Sequence, residues 1–349
     1  MARINRWWTV ISGASGFVND IVDAVAEGNS VIIKSSAGIP FRDDLFSILN
    51  SRIGFVIHDR TIKMFDSSSV YESTVEEYLC ENYCPDEFFI PSKGFTRTHF
   101  LARSKVFEMN NSIRIVKNAN DKTEQEWIRF IVDYSRLAGI GDRSDKAQFI
   151  LFADTDRNIP KAKQCIIIDF SKYVTEYDYY VFCLLSVPDN FHKSMKMKQY
   201  LAEITSELCR KDPFLIYDLL EDPEELYMNT YPYYNRFVSE IVSENEINTI
   251  LWKAQIKLVF PILEEYRCFL VEKYRKHLES KLPFEVPYGE SITEPENLEL
   301  GHILFLNKEL VFLKKNELEK LKLYKTVRNN IAHMRPASPD SIEGILSDK

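Results

Sequence analysis

Short runs of β-branched and aromatic residues alternate with helical patterns in the first half of the chain. Each run is bounded by polar or turn-forming residues. The runs cover residues 31–34, 113–116, 149–153 and 165–170. Strands that are apolar throughout are buried on both faces of a sheet, and helices separate these runs. The pattern therefore predicts an α/β domain over residues 1–190, with a mostly parallel sheet and covering helices.

The pattern becomes helical after about residue 190. Residues 191–240 are interpreted as a helical linker or hinge, because the stretch 221–234 is acidic, rich in tyrosine and contains two prolines. Residues 241–349 are predicted to form an all-α bundle. Its longest periodic segment has a kink expected at Pro261. The predicted fold class is thus α/β followed by all-α, with bounds of 1–190, 191–240 and 241–349.

The segment after the first strand is Lys34-Ser35-Ser36-Ala37-Gly38-Ile39-Pro40. A strand that enters such a loop, followed by alternating helices and strands, resembles the core of a P-loop NTPase of the AAA or STAND kind. A working phosphate loop has the pattern G-x-x-x-x-G-K-[ST], whereas this loop has one glycine and no lysine at the start of the helix. The resemblance implies a degenerate NTPase-like domain, so nucleotide hydrolysis is not expected. Lys34, Ser35 and Ser36 are the weak candidates for nucleotide binding without hydrolysis.

The last long helical segment ends with Arg328-Asn329-Asn330-Ile331-Ala332-His333, shortly before Pro336. Cleavage of RNA without a metal needs a group that moves protons and a fixed cation for the charge on the phosphate. Histidine suits the first role because its pKa lies near neutrality. Arginine suits the second because it is always charged and matches phosphate geometry.

This arginine and histidine pattern resembles the R-N-x-x-x-H signature of HEPN domains. Many of these helical bundles are metal-independent endoribonucleases of toxin and phage-defence systems. The resemblance implies that Arg328, Asn329 and His333 are catalytic. On an ideal helix Arg328 and His333 point about 140° apart, whereas Asn329 and His333 share a face. We therefore expect a homodimer or higher oligomer, in which a second chain supplies a second pair.

The charge distribution is uneven. The whole chain has a net charge of −8, which argues against broad nucleic-acid binding by its surface. Residues 308–335 nevertheless carry eight basic and three acidic side chains, and residues 218–246 carry eight acidic and one basic side chain. The basic stretch coincides with the Arg–His motif, as an RNA-phosphate site requires. A solvated helix face is the ordinary alternative.

Cysteines and histidines are scattered and do not form a recognisable metal site. We expect the six cysteines to be reduced and mostly buried, and we expect no metal and no cofactor. The first residues lack a signal-peptide pattern. No apolar run approaches the roughly 20 residues of a membrane helix. These features predict a cytoplasmic protein that does not bind membranes.

Two main functions follow from the resemblances. The first is an endoribonuclease effector of a phage-defence or toxin-like system, with RNA as its substrate. The alternative is a catalytically inactive HEPN module for interaction and dimerisation. It would be coupled to an α/β domain that senses a nucleotide or a protein partner from the same system. A 2′,3′-cyclic phosphate product is expected only for the enzyme.

Overall fold

The computed structural model describes residues 5–36, 38–70, 72–85, 87–138, 145–209, 213–285 and 291–347. The chain folds into two compact units, Met1–Asp178 and Tyr179–Lys349. The first unit contains the sheet and the second is helical.

A five-stranded, all-parallel sheet forms the centre of the first unit. Its strands are β1 (Ser30–Lys34), β2 (Thr61–Asp66), β3 (Ser112–Lys117), β4 (Gln148–Ala153) and β5 (Cys165–Asp169). Their order across the sheet is β2-β3-β4-β1-β5. In the central register Ile32 of β1 lies beside Leu151 of β4 and Ile167 of β5. The predicted parallel α/β sheet is confirmed.

Helices cover both faces of this sheet. The helices of the first unit are α1 (Asn5–Val10), α2 (Ser12–Ala26), α3 (Arg42–Val56), α4 (Val75–Tyr83), α5 (Arg97–Arg103) and α6 (Asp121–Ala138). Helix α7 (Glu176–Ser186) begins at the end of the first unit in the chain and continues in the second. Neighbouring residues of a strand point to opposite faces. Phe130 of α6 packs on Phe149 with ring centroids 5.4 Å apart, and Phe46 of α3 packs on Phe152 at 4.9 Å. Phe149 and Phe152 are three positions apart, so α6 and α3 lie on opposite faces.

The second unit is built from helices. They are α8 (Met195–Leu208), α9 (Leu215–Leu219), α10 (Pro223–Met228), α11 (Thr230–Tyr234), α12 (Glu244–Leu258), α13 (Phe260–Lys273), α14 (Arg275–Glu279), α15 (Leu300–Leu310), α16 (Lys315–Ala332) and α17 (Pro339–Leu346). The long segment around Pro261 divides into α12 and α13, because proline has no amide hydrogen for the helix and occupies the first turn of α13.

Helix α16 lies against several other helices of this unit and has contacts with α12, α13, α15 and α17. Helix α8, which falls in the segment interpreted as a linker, packs on α12. Buried Gln255 donates to the hydroxyl of Tyr200 at 3.1 Å, and Lys257 forms an ion pair with Glu203. Residues 191–240 therefore lie in the same compact unit as the helices that follow them.

The cysteines are free thiols. Five of them are buried and Cys268 is exposed. Burial raises the pKa of Cys80 and of Cys165 to about 12, so these thiols stay protonated at neutral pH. The expectation of mostly buried cysteines is confirmed.

Candidate functional site

The Arg–His motif lies in the last turn and a half of α16, and the helix ends in a Schellman motif. His333 is the C-cap residue, and Met334 follows in the left-handed region with φ of 55°. The amide of Arg335 donates to the carbonyl of Asn330 at 2.9 Å, and the amide of Met334 donates to Ile331 at 3.1 Å. These two bonds satisfy carbonyl groups that a helix end otherwise leaves without partners.

Helix α12 holds this helix end through two side chains. The indole Nε1 of Trp252 donates to the carbonyl of Ile331 at 2.8 Å. The buried side chain of Gln255 accepts from the amide of Ala337 at 2.7 Å and donates to the carbonyl of Ala337 at 3.2 Å. Trp252 and Gln255 are three positions apart and share a helix face. The backbone on both sides of His333 is therefore fixed to α12.

Asn329 and His333 are both exposed and lie on the same face of α16. Lys322 and Thr326 continue this exposed face at helical spacing toward the N-terminus. The solvent-exposed face of α16 thus carries, in chain order, the amine of Lys322, the hydroxyl of Thr326, the amide of Asn329 and the imidazole of His333. An imidazole and an amide side by side can hold and move a proton at a substrate oxygen.

Arg328 points elsewhere. Its guanidinium Nη2 lies 2.7 Å from Oε1 of Glu299, which is the N-cap residue of α15. The Arg328 side chain is 29% exposed and lines an open cleft of about 510 Å³, including solvent at its mouth. Arg267 lines the same cleft and donates to Glu264 at 2.7 Å and to the carbonyl of Glu296 at 2.7 Å. The structure therefore groups Asn329 with His333, whereas it groups Arg328 with Arg267 and three glutamates.

Glu317 fixes the other end of α16. This buried carboxylate accepts hydrogen bonds from Lys273 at 2.6 Å, from the hydroxyl of Tyr274 at 2.5 Å and from the amide of Lys314 at 3.0 Å. Burial opposes ionisation of Glu317, but these hydrogen bonds outweigh it and lower the pKa of the carboxyl to about 2. Both ends of the helix that carries the motif are thus held by specific polar contacts.

The weak candidates for nucleotide binding lie at the carboxyl end of β1, and two of them form hydrogen bonds within the protein. Lys34 Nζ donates to the carbonyl of Asp156 at 2.6 Å. Ser35 is buried, and its hydroxyl donates to the carbonyl of Gly38 at 2.7 Å. Ser36 is exposed and lines a cleft at this edge of the sheet.

That cleft is acidic. It encloses about 750 Å³, including the solvent at its mouth, and its lining includes the carboxylates of Asp121, Glu124, Asp154 and Asp156. Burial raises the pKa of Glu124, although the amide of Asp154 donates to its carboxyl at 2.7 Å. Arg157 also lines the cleft and Arg42 pairs with Asp154, but acidic residues outnumber basic ones, and this excess of negative charge repels a polyphosphate. The charge of the cleft therefore disfavours a nucleotide.

Within the described ranges, no three His, Cys, Asp or Glu side chains are arranged to hold a metal ion. In the same ranges, no helix has the length and apolar character needed to cross a membrane. Comparison with profiles of protein families and with curated protein sequences gives no match.

Several residues of the site were not predicted from sequence. The motif region is contacted by Trp252, Gln255 and Glu299, which lie on helices distant in the chain. Arg267 lines the same cleft as Arg328. The helical spacing of Trp252 and Gln255 was a usable signal, because it places an indole N–H and an amide on one face. For Arg267 the sequence holds no comparable signal.

Proposed function

We propose that this protein is a metal-independent endoribonuclease of the HEPN type, acting as an effector of a phage-defence or toxin-like system. The observation that carries the proposal is the exposed pair Asn329 and His333 at the fixed end of α16. A proton-transfer group must be accessible to its substrate and held in place. His333 is exposed and its backbone is held by α12, and in the proposed site Asn329, four positions earlier on the same face, orients its ring.

The proposed reaction is attack of the RNA 2′-hydroxyl on the adjacent phosphorus. His333 takes the proton of the 2′-hydroxyl or gives a proton to the departing 5′-oxygen. Arg328 neutralises charge on the phosphate oxygens through its forked guanidinium. The bond from phosphorus to the 5′-oxygen breaks, and the products are a 2′,3′-cyclic phosphate and a free 5′-hydroxyl.

The proposal includes a second copy of the chain. Within one chain Arg328 is directed to Glu299, while His333 lies on the exposed face of α16. We propose that two copies associate through their second units, so that His333 of one copy acts with Arg328 of the other. A two-fold dimer then contains two equivalent sites.

Complementation between inactive chains tests this arrangement. We expect Arg328→Ala and His333→Ala to be inactive alone in an RNA integrity assay. When the two are co-expressed, random pairing gives a dimer with one intact site and restores about one quarter of wild-type activity. Matched controls are Arg129→Ala and His58→Ala, which change exposed residues of the first unit. Failure of the mixture to recover activity, with both single variants inactive, would contradict the shared site.

A second function is favoured by the ion pair between Arg328 and Glu299. A guanidinium held by a carboxylate in a cleft that also contains Arg267 can be a purely structural contact. In that case the helical unit is an interaction or dimerisation module, and the α/β unit recognises a protein partner from the same system. Wild-type protein that associates with itself but leaves RNA intact would support this function over the first.

A further inference from the structure

Residues 88–107 differ in composition from the rest of this acidic protein. These twenty residues contain five phenylalanines, two lysines, two arginines and a histidine, and no aspartate or glutamate. The chain as a whole has a net charge of −8. All twenty residues lie in a described range and belong to the first unit. We call them the 88–107 segment.

A tight turn organises the segment. The amide of Phe95 donates to the carbonyl of Ser92 at 3.0 Å, and Gly94 has φ of +80°, as in a type II turn. Lys93 is exposed at the tip of this turn. The rings of Phe89 and Phe95 stack across it, with centroids 6.2 Å apart and planes inclined by 22°.

Arginines lie over these rings. The guanidinium of Arg97 is 5.2 Å from the centroid of Phe89, and that of Arg103 is 5.8 Å from the centroid of Phe95. Arg97 also forms an ion pair with Glu77 at 3.0 Å. For Arg103 and Lys93 the structure shows no ion pair with a described residue. Cations and aromatic rings therefore alternate in one surface, and the cationic charge is only partly neutralised.

Two large apolar side chains project beside this surface. Phe88 is 87% exposed and Ile90 is 77% exposed. Single exposed apolar residues are ordinary on protein surfaces. Here they flank a stacked aromatic pair and a set of basic side chains, and this combination points to a ligand that offers both flat apolar groups and negative charge.

We propose that the 88–107 segment binds single-stranded nucleic acid. Bases stack on the exposed face of the Phe88 ring, while Lys93, Arg103 and Lys105 contact phosphates. Unpaired bases expose flat faces at each nucleotide, and their phosphates recur between them, which matches alternating rings and cations. Duplexes hide the base faces and fit this surface less well.

A lipid surface is the competing ligand. Membrane-binding segments insert apolar side chains together into the lipid and keep their cations at the headgroup level. In the 88–107 segment the guanidinium groups of Arg97 and Arg103 lie over ring faces, so insertion of these rings would carry charged groups into the apolar layer. The arrangement therefore favours nucleic acid over lipid.

Fluorescence anisotropy of a labelled oligo(dT) of about 12 nucleotides tests the proposal, since single-strand sites span about 4–16 nucleotides. DNA lacks the 2′-hydroxyl, so binding is measured whether or not the protein cleaves RNA. We expect Phe88→Ala to weaken binding by about 5- to 100-fold, the range for loss of one stacked base. Lys93→Gln/Arg103→Gln is expected to lower the slope of log affinity against log salt by about 1.4, at about 0.7 for each phosphate contact.

Matched controls are Phe55→Ala and Lys161→Gln, which change an 82% exposed phenylalanine and an exposed lysine elsewhere in the first unit. These variants are expected to bind like the wild type. Equal binding by Phe88→Ala and by the wild type would overturn the proposal, as would absence of oligonucleotide binding. Sedimentation with anionic vesicles that depends on Phe88 and Ile90, without oligonucleotide binding, would assign the segment to a membrane instead.

Discussion

The indole Nε1 of Trp252 donates to the carbonyl of Ile331 at 2.8 Å and joins two residues that are 79 positions apart. Ile331 lies two residues before His333 in the last turn of α16, and its carbonyl also accepts from the amide of Met334. The contact therefore links the packing of α12 to the position of the histidine proposed to transfer protons.

Removal of this bond is expected to affect both stability and cleavage. Trp252→Phe keeps an aromatic ring but removes the N–H group, at a cost of about 0.5–1.5 kcal/mol in the free energy of unfolding. Small displacements in a catalytic site lower rates strongly, so we expect RNA cleavage to fall by about 10- to 100-fold. Denaturant unfolding and a cleavage time course measure the two effects.

Trp8→Phe is the matched control. The Nε1 of Trp8 donates to the carbonyl of Phe41 at 3.1 Å in the first unit, so the same chemical group is lost. Because Trp8 is fully buried and Trp252 is half-buried, we expect a loss of stability at least as large as for Trp252→Phe, with unchanged cleavage. Equal loss of cleavage in both variants would show that Trp252 has no specific role at the helix end.

The carboxyl of Glu317 makes the stability of the helical unit depend on pH. Its pKa is lowered from 4.5 to about 2 in the folded protein. A carboxyl whose pKa is lower in the folded than in the unfolded protein stabilises the fold at pH values above its unfolded-state pKa. This stabilisation is lost as the pH falls through the folded-state pKa. Glu317→Gln is therefore expected to cost up to about 3 kcal/mol at neutral pH. The difference in the free energy of unfolding between this variant and the wild type should shrink as the pH falls from about 4.5 to about 2.

Denaturant unfolding at several pH values checks this prediction. Glu319→Gln is the control, because Glu319 is exposed on the same helix. An exposed substitution usually changes stability by less than about 0.5 kcal/mol. A destabilisation of Glu317→Gln that does not vary with pH would mean that the shape of the side chain matters rather than its ionisation.

The sheet was predictable from sequence because its inner strands are buried on both faces. Strands β1 and β4 contain continuous apolar runs, and the run in β3 is interrupted only by the buried Arg114, so the sequence predicts all three. The sequence does not predict β2, because Lys63 and Met64 face solvent there and break the apolar pattern, whereas the other edge strand, β5, keeps an apolar run. The order of the strands depends on pairings between distant segments, which local periodicity does not encode.

For the candidate site, the sequence predicts only which side chains share a face of α16. The 3.6-residue period places Asn329 and His333 on one face and turns Arg328 away, as the structure shows. The partner of Arg328 is Glu299, which lies on another helix. Contacts of this kind result from packing between helices, so the residues that hold the motif became visible only in the structure.

Glu299 is expected to compete with phosphate for Arg328. The ion pair is partly exposed, with 53% of the Glu299 side chain accessible, so it is worth less than about 1 kcal/mol. Glu299→Gln removes the competing charge, and we expect KM for RNA to fall by up to about fivefold with little change in kcat. Glu296→Gln is the control, because Glu296 lines the same cleft but pairs with Arg275. A higher KM for Glu299→Gln would instead make Glu299 a positioning residue.

The first unit is expected neither to bind nor to hydrolyse nucleotides at the acidic cleft of its sheet edge. The loop after β1 lacks the phosphate-loop lysine, and the amine of Lys34 is bonded to the carbonyl of Asp156. We expect no measurable phosphate release from ATP or GTP and no thermal stabilisation by either nucleotide. Robust turnover that Lys34→Ala abolishes, and that Lys161→Ala leaves intact, would overturn this interpretation of the first unit.

The last prediction concerns the proposed reaction itself. His333→Ala is expected to reduce cleavage by about 10²–10⁴-fold, the usual contribution of one proton-transfer residue. Arg328→Ala is expected to cost about 10²–10³-fold, the usual contribution of one charge-stabilising donor. Arg328→Lys should lower the cleavage rate almost as much as Arg328→Ala, because an ammonium group cannot make the forked contact of a guanidinium with phosphate. Asn329→Ala should lower the cleavage rate less than either of these changes, since the amide only orients the imidazole of His333.

Product analysis separates this chemistry from contamination and from metal-dependent hydrolysis. Cleavage by the wild type should persist in EDTA and leave a 2′,3′-cyclic phosphate, because the 2′-hydroxyl is the attacking group. Arg328 and Glu299 form a partly exposed pair, and His333 is exposed, so neither alanine substitution should unfold the protein. Circular dichroism of each variant checks this. If Arg328→Ala/His333→Ala still degrades RNA like the wild type, the helical unit is not the nuclease, and its exposed face then serves association between chains.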